Sequence, residues 1–169
     1  MAELKKIDPE YFALELEATW MVFNKMFGDT PEGQAKLDQC RWLKGEMVFD
    51  EIQKELKIPP GDPYTVGQAI SAYLLKVGSS DVRLNKFSDN EMLYEMKQAV
   101  MAPIHSLRES LGNTNPLRPL PAAALFRAAL KKLCNVQVEI IPVSDEMRAT
   151  KLGGRAGALW RLTPISQTK

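Results

Sequence analysis

Histidine occurs once in this chain and cysteine twice. One histidine excludes the usual multi-histidine catalytic metal centres. A zinc site would have to gather His105, Cys40, Cys134 and a carboxylate from separate elements, and no pair among them has zinc spacing. Two cysteines without a Cys-x-x-Cys make no disulfide framework and fit free thiols in a reducing cytoplasm. Charge of one sign is also missing: 22 Lys plus Arg against 21 Asp plus Glu leave +1. No global pull toward nucleic acid or anionic membrane follows, and no recognition motif or basic stripe accompanies it. No run approaches the ~18 apolar residues of a membrane span. Met1 to Asp8 carries no apolar signal core. Gly-x-Ser-x-Gly elbows, Walker loops and internal repeats are absent as well. The expected protein is cytoplasmic, without cofactor or metal, and binds neither nucleic acid nor membrane.

What remains is ordinary globular composition, 45% apolar and 25% charged over 169 residues. One domain over 1–169 is expected, with a helical part at 1–60 and a helix plus two hairpins at 62–165. Asp8-Pro9-Glu10, Thr30-Pro31-Glu32 and Asp62-Pro63 are three copies of one helix-start signal. A capping side chain is followed by a proline preset for the first turn. The first helix is aromatic-rich and ends near Gly28. It carries Glu10, Glu15 and Glu17, which anionic lipid would repel. The second runs to about Lys57, with Leu37, Cys40, Leu43, Met47, Val48, Ile52 and Leu56 at helical spacing. The third runs to about Lys76, with Ile70, Tyr73, Leu74 and Val77 inward.

The period then changes to two. Val82 and Leu84 alternate with Arg83 and Asn85, and Met92, Tyr94 and Met96 with Leu93, Glu95 and Lys97, around a Ser88-Asp89-Asn90 turn, giving a hairpin. Ala99 to Leu111 can be helical, Asn113 to Pro121 is a loop, and Ala122 to Leu133 is an Ala-rich helix. Val136, Val138 and Ile140, then Ala158, Trp160 and Leu162, form a second hairpin with a long loop from Ser144 to Arg155. The expected fold is α+β: N-terminal helices packed on a four-stranded antiparallel sheet of two hairpins separated by one or two helices.

Two places could carry chemistry. His105 is the obvious acid/base candidate, with Glu95 and Glu109 its nearest carboxylates along the chain. Glu109 stands at i+4, a common surface pair on a helix. Lys151, Gly153, Gly154 and Arg155 form a basic, glycine-bearing stretch whose amides and cations suit a phosphate or carboxylate. A solvated hairpin tip explains the same residues.

The order of elements resembles one family group: the 4-vinyl-reductase-like small-molecule-binding domains, the 2-amino-thiazoline-4-carboxylate hydrolase-like proteins and the TRAPP vesicle-tethering subunits. The resemblance rests on Gly67-Gln68-Ala69-Ile70-Ser71-Ala72-Tyr73-Leu74-Leu75-Lys76-Val77-Gly78 and on Asp89 to Met96. It continues through Leu125 to Cys134, Val136 to Ile140 and Gly157-Ala158-Leu159-Trp160-Arg161-Leu162. It implies an apolar pocket between helices and sheet, and dimerisation. Metal-binding members look to place cysteines after the second strand and in the last hairpin. Here those places read Ala99-Val100-Met101-Ala102-Pro103 and Gly157 to Trp160, without cysteine. That departure weighs against metal and against the hydrolase activity.

Tyr73, Tyr94, Met96, Met101, Phe126 and Trp160 are the expected pocket lining, being large, polarisable side chains from elements facing one layer. Ordinary core packing explains any one of them. Arg161, or Lys151 with Arg155, would be the charge partner of a bound carboxylate. The expected function is thus a sensor or carrier enclosing a small apolar or aromatic ligand, acting as a homodimer. An enzyme of this fold would instead use His105 and Glu95 on a heterocycle or tetrapyrrole, as a hydrolase or reductase. A third reading is a structural dimerisation or tethering protein.

Overall fold

The structure is a computed structural model that describes residues 15, 18–19, 21–23, 25–28, 30–78, 80–99, 121–144, 146, 151 and 157–166. Residues 21–23 and 25–27 are helical and lead into α1, Pro31–Leu56. Thr30 caps α1 as its sequence predicts: Gly33 N–H donates to Thr30 Oγ1 at 3.1 Å. Gln34 Nε2 donates to the Gly28 carbonyl, tying the preceding helical residues to the start of α1. Lys57 ends the helix in the left-handed region at φ 50°, its N–H on the Gln53 carbonyl at 2.9 Å. The Gln53 side chain then holds both backbone groups of Ile58, at 2.7 and 3.1 Å. Asp62 starts α2, Pro63–Lys76, by accepting from Thr65 N–H at 2.9 Å. The third helix, α3, covers Pro121–Cys134. The Asp8-Pro9 start, the Ala99–Leu111 helix and the Asn113–Pro121 loop fall outside the described residues, except for Ala99, which ends a strand, and Pro121, which begins α3.

Four strands follow the predicted pairing: β1 Ser80–Ser88, β2 Glu91–Ala99, β3 Val136–Pro142 and β4 Gly157–Pro164. The sheet order is β1-β2-β4-β3, antiparallel throughout, so the two hairpins meet at β2 and β4. Asn135, at φ 53°, turns the chain from α3 directly into β3. The Asn135 carbonyl accepts from Ile165 N–H at 2.9 Å, and Asn135 Nδ2 donates to the Ile165 carbonyl at 3.2 Å. That latch sets the β3–β4 register.

The main core lies between the helices and one sheet face, around Phe49, Ile70, Leu84, Phe126, Leu130 and Trp160. α2 sits on β1 because Gly67 lets Leu84 approach. Gln68 Nε2 also bonds the Leu84 carbonyl at 2.7 Å. α1 packs on α3 through Gly45 and Ala124, with Lys131–Glu46 and Lys132–Asp50 ion pairs at 2.7 and 2.6 Å along the seam.

Four expectations need correction. In α1 the buried residues are Leu37, Gly45 and Phe49, while Cys40, Leu43, Met47 and Val48 face outward. Two apolar stripes share one helix, and periodicity cannot say which one meets α3. Val77, expected inward, is exposed just beyond the end of α2. The sheet also has a second buried face, where Leu93, Leu159 and Val143 cluster with Ile141. Glu146 and Lys151 are helical, within the stretch expected to be a loop.

Candidate functional site

Tyr94, Phe126 and Trp160 come together on the helix side of the sheet. Tyr94 lies on β2, Trp160 on the neighbouring β4 and Phe126 on α3 above them. Cross-strand register makes this contact: Tyr94 opposes Ala158, two residues from Trp160, so the rings meet on the diagonal. Tyr94 and Trp160 stack at 4.8 Å between centroids with 8° between planes. Phe126 stands edge-on to both, at 5.9 Å from each. Stacked and edge-to-face pairs are the favoured aromatic geometries. All three rings are buried.

One polar atom sits within this packing. Tyr94 Oη is buried, and no hydrogen-bond partner stands within reach of it among the described residues. Burial pushes the Tyr94 hydroxyl well above the ordinary phenol range, so it stays neutral. An unsatisfied buried hydroxyl costs roughly 1–3 kcal/mol. Tyr94→Phe is therefore expected to stabilise the protein by about 1 kcal/mol, since the ring contacts survive and only the orphan oxygen goes. A urea titration of both proteins checks this. A loss of stability would mean that the hydroxyl is satisfied in solution by a water or ligand.

The other predicted residues disperse. Tyr73 is half-buried on α2, and Met96 lies on β2 with Val82 as its cross-strand partner. Met101, His105, Gly153, Gly154 and Arg155 lie outside the described residues. Lys151 is exposed. Glu95 is buried, one residue along from Tyr94 and so on the opposite face of the sheet, between Arg83 and Gly157 in register.

Arg161 is likewise on the opposite face from Trp160. There it stands in register between Glu91 and Glu139, its Nε 3.4 Å from one carboxylate and its Nη1 3.5 Å from the other. Arg161, expected as one charge partner of a bound carboxylate, thus stands apart from the Tyr94, Phe126 and Trp160 rings. Strand alternation aims it away, and two carboxylates already answer its charge.

Cys134 is half-buried, and loss of hydration pushes its thiol up to about 11, away from thiolate reactivity. Among the described residues no group of three or more His, Cys, Asp or Glu could hold a metal, and no helix is long and apolar enough to cross a membrane.

Sequence reasoning missed the outward face of α1. Met47 is 71% exposed and Leu43 51%, and Val48 lies beside them. Val22, Phe23, Met26 and Phe27, in the preceding helical residues, are exposed too. Its sequence signal is the i, i+3, i+7 apolar spacing of Cys40, Leu43 and Met47, which equally fits a core face.

No protein-family model matches the chain, and no curated protein matches it by sequence. In three dimensions it is similar to a solved trafficking protein particle complex subunit 3 from Naegleria fowleri, covalently bound to palmitic acid. The identity is 16% and the TM-score 0.60, over 94% of this chain and 97% of that one. At this identity the likeness shows the fold, an α+β TRAPP-like fold, which is one of the three the sequence resembles.

Proposed function

We propose that the chain is an assembly subunit that pairs with a second copy of itself through the outward face of α1, in a cytoplasmic setting. The observation that carries this is the exposure of Leu43, Met47 and Val48 on a helix whose other side is already packed on α3. Each such side chain gains roughly 1.5–3 kcal/mol on full burial, so an apolar stripe left in water favours a partner. An isologous dimer uses one self-complementary patch twice and is the commonest oligomer. The net charge of +1 offers no repulsion between copies. The TRAPP-subunit neighbour, whose name places it in a complex, supports the same reading.

Native mass spectrometry of the full chain tests it. The expected mass is twice the 19.0 kDa of one copy. Combined Leu43→Glu and Met47→Glu is expected to weaken pairing about tenfold or more, since two carboxylates from each copy must be desolvated at the interface. A monomer at tens of micromolar, in roughly the range of weak association, overturns the reading.

A second reading, enclosure of an apolar ligand on the helix side of the sheet, is favoured by the unpartnered Tyr94 hydroxyl and by the palmitate on the structural neighbour. Native mass beyond the polypeptide's own, lost on denaturation, would support it. The enzyme reading with His105 and Glu95 gains no support from the described residues.

A further inference from the structure

Away from the aromatic cluster, α1, α3 and β3 enclose an open cleft of about 350 Å³. This is within the roughly 300–1,000 Å³ of small-molecule sites. Trp42 and Glu46, one turn apart on α1, form one wall. Arg127 and Lys131, one turn apart on α3, form another, with Ala128 between them. Val138 of the edge strand β3 is among the floor residues.

The charges in the cleft are unequal. Lys131 Nζ is 2.7 Å from Glu46 Oε1, so those two answer each other. Arg127 makes no ion pair among the described residues. Its guanidinium lies over the Trp42 ring at 4.0 Å from the centroid. The ring face attracts the cation but offers its N–H groups no oxygen acceptor. Among the described residues no acceptor hydrogen-bonds those groups. Arg127 is also half-buried, and loss of hydration lowers its pKa against the raising effect of Glu46. A desolvated cation with unsatisfied donors is a state that a carboxylate relieves, because two parallel N–H···O bonds match its fork. The surplus is one positive charge, which a monoanion neutralises and a dianion would overshoot.

We propose that this cleft binds a small monocarboxylate with a flat apolar body, its carboxylate on Arg127 and its body along Ala128 and Val138. The site is distinct from the aromatic interior. It does not rest on pairing through Leu43 and Met47, which the native mass reads separately.

Calorimetric titration of the full chain with 2-naphthoate tests the proposal, with the neutral 2-naphthalenemethanol as control. One naphthoate should bind per chain, and the alcohol should bind about tenfold or more weakly, the cost of losing a charge-assisted pair. Arg127→Gln should lose about tenfold in affinity for naphthoate and nothing for the alcohol. Arg127→Lys should fall between, keeping charge without the fork. Backbone amide shifts on naphthoate addition should centre on Ala128 and Val138; this arm needs no variant to fold. No binding at millimolar naphthoate overturns the proposal. So do equal binding of acid and alcohol, indifference to Arg127→Gln, or shifts centred elsewhere.

Discussion

Trp160→Ala is expected to cost about 3–5 kcal/mol, the range for deleting a large aromatic from a packed core. Trp160 is 1% exposed and occupies a central position in the sheet, with Met92 and Ile140 as its cross-strand partners on either side. Removing it strips the stacking partner from Tyr94 and one of two edge partners from Phe126. The vacated space lies where the two hairpins join, spanned by β-sheet hydrogen bonds that resist collapse. Cost rises with the cavity that cannot close, so the upper part of the range is expected. Natural domains have only about 5–15 kcal/mol to lose. Urea unfolding followed by fluorescence should show a much lower midpoint with the slope retained. The size of the effect also bears on function. A loss under about 1.5 kcal/mol, well below the usual deletion range, would mean that Trp160 lines a space already present. That outcome would move the second reading, an enclosed apolar ligand, ahead of assembly. A full loss fits a filled core and leaves function at the surface.

The fold was legible where local chemistry decides it. Thr30-Pro31 and Asp62-Pro63 start helices because a side-chain oxygen must satisfy an N–H that no carbonyl can reach, whatever the helix later packs on. Val82, Leu84, Met92 and Tyr94 mark one hairpin because burying a single face demands period two. What was illegible depends on which surfaces meet. The α1 pattern holds two apolar stripes, and only the approach of α3 at Gly45 shows that Leu37 and Phe49 are inside while Leu43 and Met47 are outside. Leu93 and Leu159 alternate with the core-facing residues of their strands, yet with Val143 and Ile141 they form a second core. The aromatic trio was found through its residue types, and its packing follows from register. Arg161 alternates with Trp160, and that alternation alone puts it on the other face of the sheet. The cleft at Arg127 had no sequence signature, because Trp42 and Arg127 meet only across the α1–α3 seam.

That seam makes Gly45→Val the second large expectation, at about 3 kcal/mol or somewhat more. A β-carbon built at Gly45 would stand 2.5 Å from the Ala124 carbonyl oxygen, 2.6 Å from its carbon and 2.7 Å from its Cβ. None of these atoms can swing aside, since they belong to the α3 backbone and its first side-chain atom. The two helices must therefore part. Valine's advantage over glycine in helix propensity, some tenths of a kcal/mol, is small beside that strain. Gly67→Ala is the matched control. Its added carbon meets Leu84 Cδ1, the far end of a flexible side chain that can rotate. There the gain of about 1 kcal/mol in helix propensity opposes a modest repacking cost, and the net change should stay within about 1 kcal/mol. Two glycines in buried helix positions, both too close for a methyl group, are thus expected to respond differently because one faces backbone and the other a rotamer. Gly45→Val should also lift Trp42 from Arg127 and abolish naphthoate binding, while Gly67→Ala leaves it intact. Equal stability losses in the two variants would show that α1 can slide on α3, and then neither its outward face nor the cleft beneath it would be rigidly presented.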